Sequence, residues 1–123
     1  MEQVDLGYTR LEIGAGSMLV RTGEGVDVTV ELHQAMIDEV EKRIAGDYGI
    51  VFDEISSYSI RFGVLAAMKQ NLRLKCLAFV AYRPTTYEIA EIADACIEKP
   101  IQIFADTKTA YSWVARQLLQ PVY

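Results

Sequence analysis

Two short apolar runs constrain the fold of this chain more than any other feature. Residues 48–53 and residues 77–82 lack the alternation of polar and apolar side chains that a strand with one wet face shows. Runs of this kind are typical of strands that are covered on both faces. The sequence therefore predicts two central strands in a sheet with helices packed against it.

The segments around these runs show the periodicity of helices, and each predicted helix has a candidate cap residue near its start. The predicted caps, in chain order, are Thr29, Ser59, Thr85, and either Asp106 or Thr107. Glu88 follows Thr85 by three residues and completes a capping box. The first helix is expected to end at Gly46. The faces that we expect to bury include Phe62, Leu72 and Ile92.

The segment before the first helix predicts a hairpin. Residues 8–13 and 17–22 read as strands on either side of a glycine-rich turn. A further strand is expected at residues 101–104, after Pro100. The expected fold is α/β: one domain over residues 1–123, with a mixed, mostly parallel sheet of five strands and four helices. The order of the strands in the sheet is not readable.

Composition excludes several classes of partner. The net charge of -5 repels phosphate backbones, so nucleic acid is not an expected partner. No apolar run approaches the roughly 20 residues that span a bilayer, so no membrane span is expected. The first residues do not resemble a secretory signal, and we expect a cytoplasmic protein.

The sequence also offers few of the residues that metal, cofactor and catalytic sites need. The chain has two cysteines, Cys76 and Cys96, and one histidine, so no zinc site and no cofactor are predicted. The histidine, His33, lies within the first helix and is expected to be solvated or semi-buried. Asp53 and Glu54 follow the central strand, where they form either an acid and base pair or, as we expect, a turn. We predict that the chain is not an enzyme and has no catalytic residues.

Aromatic and charged residues near loops and helix starts form a candidate interaction surface. Its members are Asp53, Glu54, Tyr58, Arg61, Tyr87 and Tyr111. The alternative is that the tyrosines are scattered and half-buried, as is common in globular proteins. Trp113 is expected in the core because it lies on the apolar stripe of the last helix.

The end of the chain carries a family resemblance. Ile103-Phe104-Ala105-Asp106 is followed by Ala110 and then by Trp113-Val114. In this order of elements, the chain resembles the STAS-like, or SpoIIAA-like, group of small bacterial domains, which is related to anti-sigma-factor antagonists. The resemblance covers nearly the whole chain and implies a regulatory domain that binds a protein partner.

The same resemblance implies a candidate phosphorylation site. In the antagonists, a serine of an Asp-Ser-Ser-Gly string at the head of a helix is phosphorylated, which switches partner binding. The string is absent here, and Asp53 is instead followed by Glu54-Ile55-Ser56-Ser57-Tyr58-Ser59. Ser59 is the main candidate for the regulated serine and Ser57 and Ser56 are its neighbours, whereas the alternative is that Ser59 only caps the helix.

Three functions are therefore carried forward. The first is a protein-binding regulatory domain, with homodimerisation through an edge strand or a helix as an added expectation. The second is a small-molecule or lipid-binding module of the same fold, which would hold an apolar ligand between helices and sheet. The third is an enzyme that uses Asp53, Glu54 and Arg61.

Overall fold

The computed structural model describes residues 1–23, 25–53, 61–81 and 84–119. Its strands are β1 (Glu2–Asp5), β2 (Thr9–Gly14), β3 (Ser17–Thr22), β4 (Tyr48–Asp53), β5 (Leu74–Val80) and β6 (Ile101–Phe104). Its helices are α1 (Val30–Arg43), α2 (Phe62–Gln70), α3 (Pro84–Ile97) and α4 (Thr107–Leu119). The predicted α/β class, the single domain and the four helices are confirmed.

One mixed sheet holds all six strands in the order β1-β2-β3-β4-β5-β6. The pairs β1·β2 and β2·β3 are antiparallel, and β3 to β6 run parallel to one another. The prediction of five strands is wrong by one, because β1 was not expected. This strand has a single partly buried apolar residue, Val4, which pairs with Leu11, so it shows no periodic pattern.

The helices cover the two faces of the sheet unequally. Parallel crossovers are right-handed as a rule, and β3 to β6 follow one another across the sheet in chain order. The three crossover helices must therefore lie on one face. The larger apolar cluster confirms this, since it joins that face to residues of α1, α2 and α3 such as Met36, Leu65 and Ala93. The smaller cluster joins the opposite face to Trp113 of α4, as predicted for this residue.

Two of the predicted helix caps are confirmed. Thr29 Oγ1 accepts a hydrogen bond from the Leu32 amide at 3.2 Å, and Asp106 Oδ1 accepts one from the Thr109 amide at 2.8 Å. Each bond satisfies an amide that has no partner inside its own helix.

The other helix boundaries differ from the prediction. The residue that precedes α2 is Arg61, so the predicted cap at Ser59 is wrong. Helix α3 begins at Pro84, whose fixed φ suits a first helical position, so Thr85 lies inside the helix and is not its cap. Helix α1 ends at Arg43, three residues before Gly46.

The buried face of α2 is rotated away from the predicted one. Val64, Leu65 and Met68 are buried, whereas Phe62 is 79% exposed. Leu72 lies beyond the end of the helix and is 83% exposed. Ile92 of α3 is 54% exposed, so all three of these side chains were wrongly expected in the core.

Helix α4 packs closely against β4 because β4 carries a glycine at the contact. A Cβ atom on Gly49 would lie 2.6 Å from Val114 Cγ1 and 2.7 Å from Cys76 Sγ. Both neighbours are buried and cannot move away easily. The absence of a side chain at position 49 therefore sets the distance between the helix and the sheet.

Gly49→Ala is expected to lower the free energy of unfolding by about 1–3 kcal/mol, because the added methyl group overpacks this contact. Gly46→Ala is the matched control, since a Cβ atom there meets nothing within 4 Å. Urea unfolding of both variants measures the difference. Equal stability of the two variants would contradict the close packing of α4 on β4.

Candidate functional site

The carboxyl ends of the parallel strands lie at one edge of the sheet, where ligands and partners usually bind in α/β proteins. Strands β3, β4, β5 and β6 end there, and the four helices begin there. We call this side of the molecule the carboxyl edge. Asp53, one of the six residues of the predicted surface, is the last residue of β4.

Asp53 is an interior residue and is only 3% exposed. Its Oδ2 atom accepts a hydrogen bond from Nε of Arg21 at 2.8 Å, and the two residues are in register on the adjacent strands β3 and β4. Arg21 also lies 3.4 Å from a carboxylate oxygen of Glu12. Burial alone would lower the pKa of the Arg21 guanidinium, but the bond to Asp53 and the two negative charges raise it. Arg21 therefore stays charged and holds Asp53 in place.

Tyr111 of α4, which is half-buried, completes this partly buried group. Burial raises the pKa of the Tyr111 hydroxyl to about 12, and the charges of Glu12, Arg21 and Asp53 also act on it. Neither the Tyr111 hydroxyl nor Asp53 Oδ1 has a hydrogen-bond partner among the described residues. We call Glu12, Arg21, Asp53 and Tyr111 the Asp53 cluster. It lies between the sheet and α4.

The predicted interaction surface is divided between the two faces of the sheet. Asp53 and Tyr111 belong to the Asp53 cluster on the α4 face, whereas Arg61 and Tyr87 lie at the starts of helices on the other face. The other predicted site residues, Glu54, Ser56, Ser57, Tyr58 and Ser59, lie outside the described residues. The described members therefore do not form one continuous surface.

Arg61 forms an ion pair with Asp27 and not with Asp53, with which it would act in the predicted enzyme. Its Nε donates to Asp27 Oδ1 at 3.0 Å, and its terminal nitrogen contacts the other carboxylate oxygen. The hydrogen bond from Arg61 lowers the pKa of Asp27. Asp53 is bound to Arg21 and Arg61 to Asp27, so the structure does not bring Asp53 and Arg61 together.

Exposed apolar side chains mark the first turns of the three helices on one face. Val30 of α1 is 42% exposed, Phe62 of α2 79% and Tyr87 of α3 57%. Val30 and the start of α2 lie close together: a Cβ atom on Gly63 would be only 2.7 Å from Val30 Cγ2. We call these three residues the helix-start row. Of these three residues, only Tyr87 was predicted as part of an interaction surface. The exposure of Phe62 could have been recognised in the sequence, because the spacing of Val64, Leu65 and Met68 indicates a buried face that excludes it.

Two grooves are lined by other described residues, and the second of them also includes Tyr87 of the helix-start row. One, of about 520 Å³, lies over the part of the sheet formed by β1, β2 and β3, and its polar lining includes Gln3, Asp5, Arg10, Glu12 and Arg21. The other, of about 480 Å³, lies between α3 and β6 and has a more apolar lining. Within the described ranges, no cluster of three or more His, Cys, Asp or Glu residues is suited to a metal ion. No helix in the same ranges is long and apolar enough to cross a membrane.

His33 is more deeply buried than the sequence suggested. It is 4% exposed and contributes to the packed face of α1, so the expected solvated or semi-buried position is wrong. Burial lowers the pKa of the imidazole from 6.5 to about 4. The cysteines are free, and Cys76 is buried with a thiol pKa raised to about 11, whereas Cys96 is half-buried.

A scan of the chain against protein-family models finds no match, and neither do searches of curated proteins and of solved structures.

Burial of His33 predicts a pH-dependent stability. The unfolded chain binds a proton near pH 6.5 and the folded chain only near pH 4, so stability is expected to fall as the pH decreases through that window. The free energy of unfolding, measured from about pH 7 to about pH 4, should decline in the wild type and less in His33→Leu. An NMR titration of this single histidine with a midpoint near its ordinary value would contradict the burial.

Proposed function

We propose that this chain is a cytoplasmic, non-enzymatic regulatory domain of the SpoIIAA-like kind, which binds a protein partner at its carboxyl edge. The observation that carries the proposal is the helix-start row, and Phe62 above all. A phenylalanine that is 79% exposed loses unfavourable contact with water when a partner covers it. Burial of such a ring contributes about 1.5–3 kcal/mol, enough to make it the anchor of an interface.

Charged residues next to the row support the same proposal. Arg61 and Asp27 form an exposed ion pair beside the starts of α2 and α1. An apolar centre with a polar rim is the usual arrangement of a protein interface. The rim orients a partner, and the apolar side chains supply most of the affinity.

The burial of Asp53 and its bond to Arg21 support a binding function rather than catalysis. A general base must reach its substrate, but this carboxylate is 3% exposed and already accepts a hydrogen bond from Arg21. An apolar ligand receives less support, because the interior between helices and sheet is filled by buried side chains such as the stacked rings of Phe52 and Phe79, whose centroids are 4.9 Å apart. The groove between α3 and β6 also carries the carboxylates of Glu91 and Asp94, which do not suit an apolar ligand.

We further propose that phosphorylation of Ser59, Ser57 or Ser56 switches this binding. Helix α2 has no side-chain cap and no acidic residue in its first turn. No acidic residue of its own first turn compensates the positive end of the helix dipole, which would stabilise a phosphate in the preceding segment. A charge of about -1.5 to -2 only three to six residues before Phe62 in the sequence would oppose docking of an apolar partner surface.

Phe62→Glu is expected to abolish partner binding, because it places a charge at the centre of the proposed interface. Leu72→Glu is the matched control, since Leu72 is similarly exposed just past the other end of α2. Quantitative mass spectrometry after affinity capture should show a protein that is retained by the wild type and by Leu72→Glu, and reduced about tenfold or more by Phe62→Glu. Equal capture by the two variants would contradict the proposed surface.

For the switch, phosphate should map to Ser56, Ser57 or Ser59, and Ser59→Asp should weaken capture of the same protein. Ser112→Asp is the control, because this exposed serine lies on α4, on the other face of the sheet. If no phosphate maps to the three serines and Ser59→Asp binds like Ser112→Asp, the switch is refuted while partner binding itself is not.

A further inference from the structure

We propose that the free edge of β6 accepts an extended basic peptide of a partner protein as a seventh strand. The inference rests on the proposed function, since it takes the chain to be a protein-binding domain, and it specifies the chemistry of a second contact. Three observations carry it: the unpaired backbone of β6, the contrast between β6 and the opposite edge, and the groove beside α3.

The backbone of β6 is paired on one side only. The carbonyls of Pro100 and Phe104 accept hydrogen bonds from the amides of Leu77 and Ala81 at 3.0 and 2.9 Å. Since successive residues of a strand point their backbone groups in opposite directions, Ile101 and Ile103 turn their N–H and C=O groups away from β5. No strand in the described part of the chain pairs with that side. Strand β6 therefore offers two outward donors and two outward acceptors.

The other edge of the sheet is protected against pairing, whereas β6 is not. Strand β1 carries Glu2 and Asp5, and Glu2 is held by an ion pair with Arg43 of α1. Charged side chains on an edge strand oppose the addition of another strand. The sequence of β6 is Ile-Gln-Ile-Phe, with no charged residue. Of the two edges, β6 is the one that favours strand addition.

The groove beside α3 gives the added strand its side-chain specificity. Its lining combines Tyr87, Ala90, Glu91 and Asp94 from α3 with Ile101, Gln102 and Ile103 from β6. Neither Glu91 nor Asp94 has an ion-pair partner among the described residues, although both are exposed. A lysine or arginine fits this lining, because its stem packs on the apolar side chains and its charge reaches the carboxylates. Alternate residues of the peptide would enter the groove, so the fitting sequence alternates basic and apolar residues.

Charge also disfavours a second copy of the chain at this edge. If two β6 strands paired about a two-fold axis, the α3 helices would lie side by side, and Glu91 and Asp94 of one copy would approach those of the other. The net charge of -5 on each copy adds to this repulsion. A basic peptide is therefore the occupant that complements the edge.

The test uses a fluorescein-labelled hexapeptide of alternating lysine and valine, with a glutamate and valine hexapeptide as its counterpart, and fluorescence anisotropy as the readout. Binding of the lysine peptide to the whole chain should be saturable and should weaken with added salt, whereas the glutamate peptide should not bind. Ile103→Pro should abolish binding, because it removes an outward N–H without removing a bond to β5. Circular dichroism checks that this variant is folded.

A double variant without the two groove carboxylates keeps the test valid if Ile103→Pro fails to fold. Glu91→Gln with Asp94→Asn should weaken binding of the lysine peptide about fivefold, as expected for two exposed ion pairs. Glu88→Gln with Asp38→Asn makes the same change in net charge at exposed helix residues that do not line the groove, and should leave binding unchanged. Equal binding of the two double variants, equal binding of the two peptides, or a dimer that is disrupted by Ile103→Pro would overturn the proposal.

Failure here is distinguishable from failure of the proposed function. If a partner is captured through Phe62 but the lysine peptide does not bind, strand addition at β6 is refuted and the regulatory domain is not. If the peptide binds as expected and Phe62→Glu has no effect on capture, the helix-start row is refuted as the main interface and strand addition is supported.

Discussion

The handedness of the parallel crossovers determines what this molecule leaves uncovered. Strands β3 to β6 follow one another across the sheet, so right-handed connections place α1, α2 and α3 on one face. Only α4 is left for the other face, and it packs on the parallel half. Strands β1 and β6 are the two outer strands of the sheet in the described part of the chain, and β6 is the one without charged side chains. The Asp53 cluster, the exposed helix starts and the edge position of β6 all follow from this arrangement.

The same arrangement places the Asp53 cluster and the proposed binding surface on different faces of the sheet. Where α4 covers the sheet, Arg21 neutralises Asp53 and fixes the end of β4. Where α1, α2 and α3 begin, Val30, Phe62 and Tyr87 of their first turns are exposed. Tyr87 also lines the groove next to β6, so the helix-start row and the strand edge share a residue. A partner with an apolar patch and a basic extended segment would engage both.

Much of the fold was readable from the sequence, because local signals agree with it. The unbroken apolar runs predict β4 with its observed bounds and β5 in part, since β5 begins three residues before the run and ends at Val80. Thr29 and Asp106 have the side chains that a cap needs. Strand β1 was not readable, because Val4 alone carries its apolar pattern. The burial of Asp53 was missed for a non-local reason: it depends on the register of β3 against β4, which places Arg21 beside it. The groove and the free edge likewise depend on strand order, which local sequence patterns do not encode.

Amide hydrogen exchange along β6 tests most directly whether this strand is an open edge. With the strand paired on one side, the amides of Gln102 and Phe104 face β5 and those of Ile101 and Ile103 face outward. Exchange measured by NMR should therefore alternate, slow at Gln102 and Phe104 and fast at Ile101 and Ile103. Protection of all four amides, or fast exchange at Gln102 and Phe104, would contradict a free edge at this position.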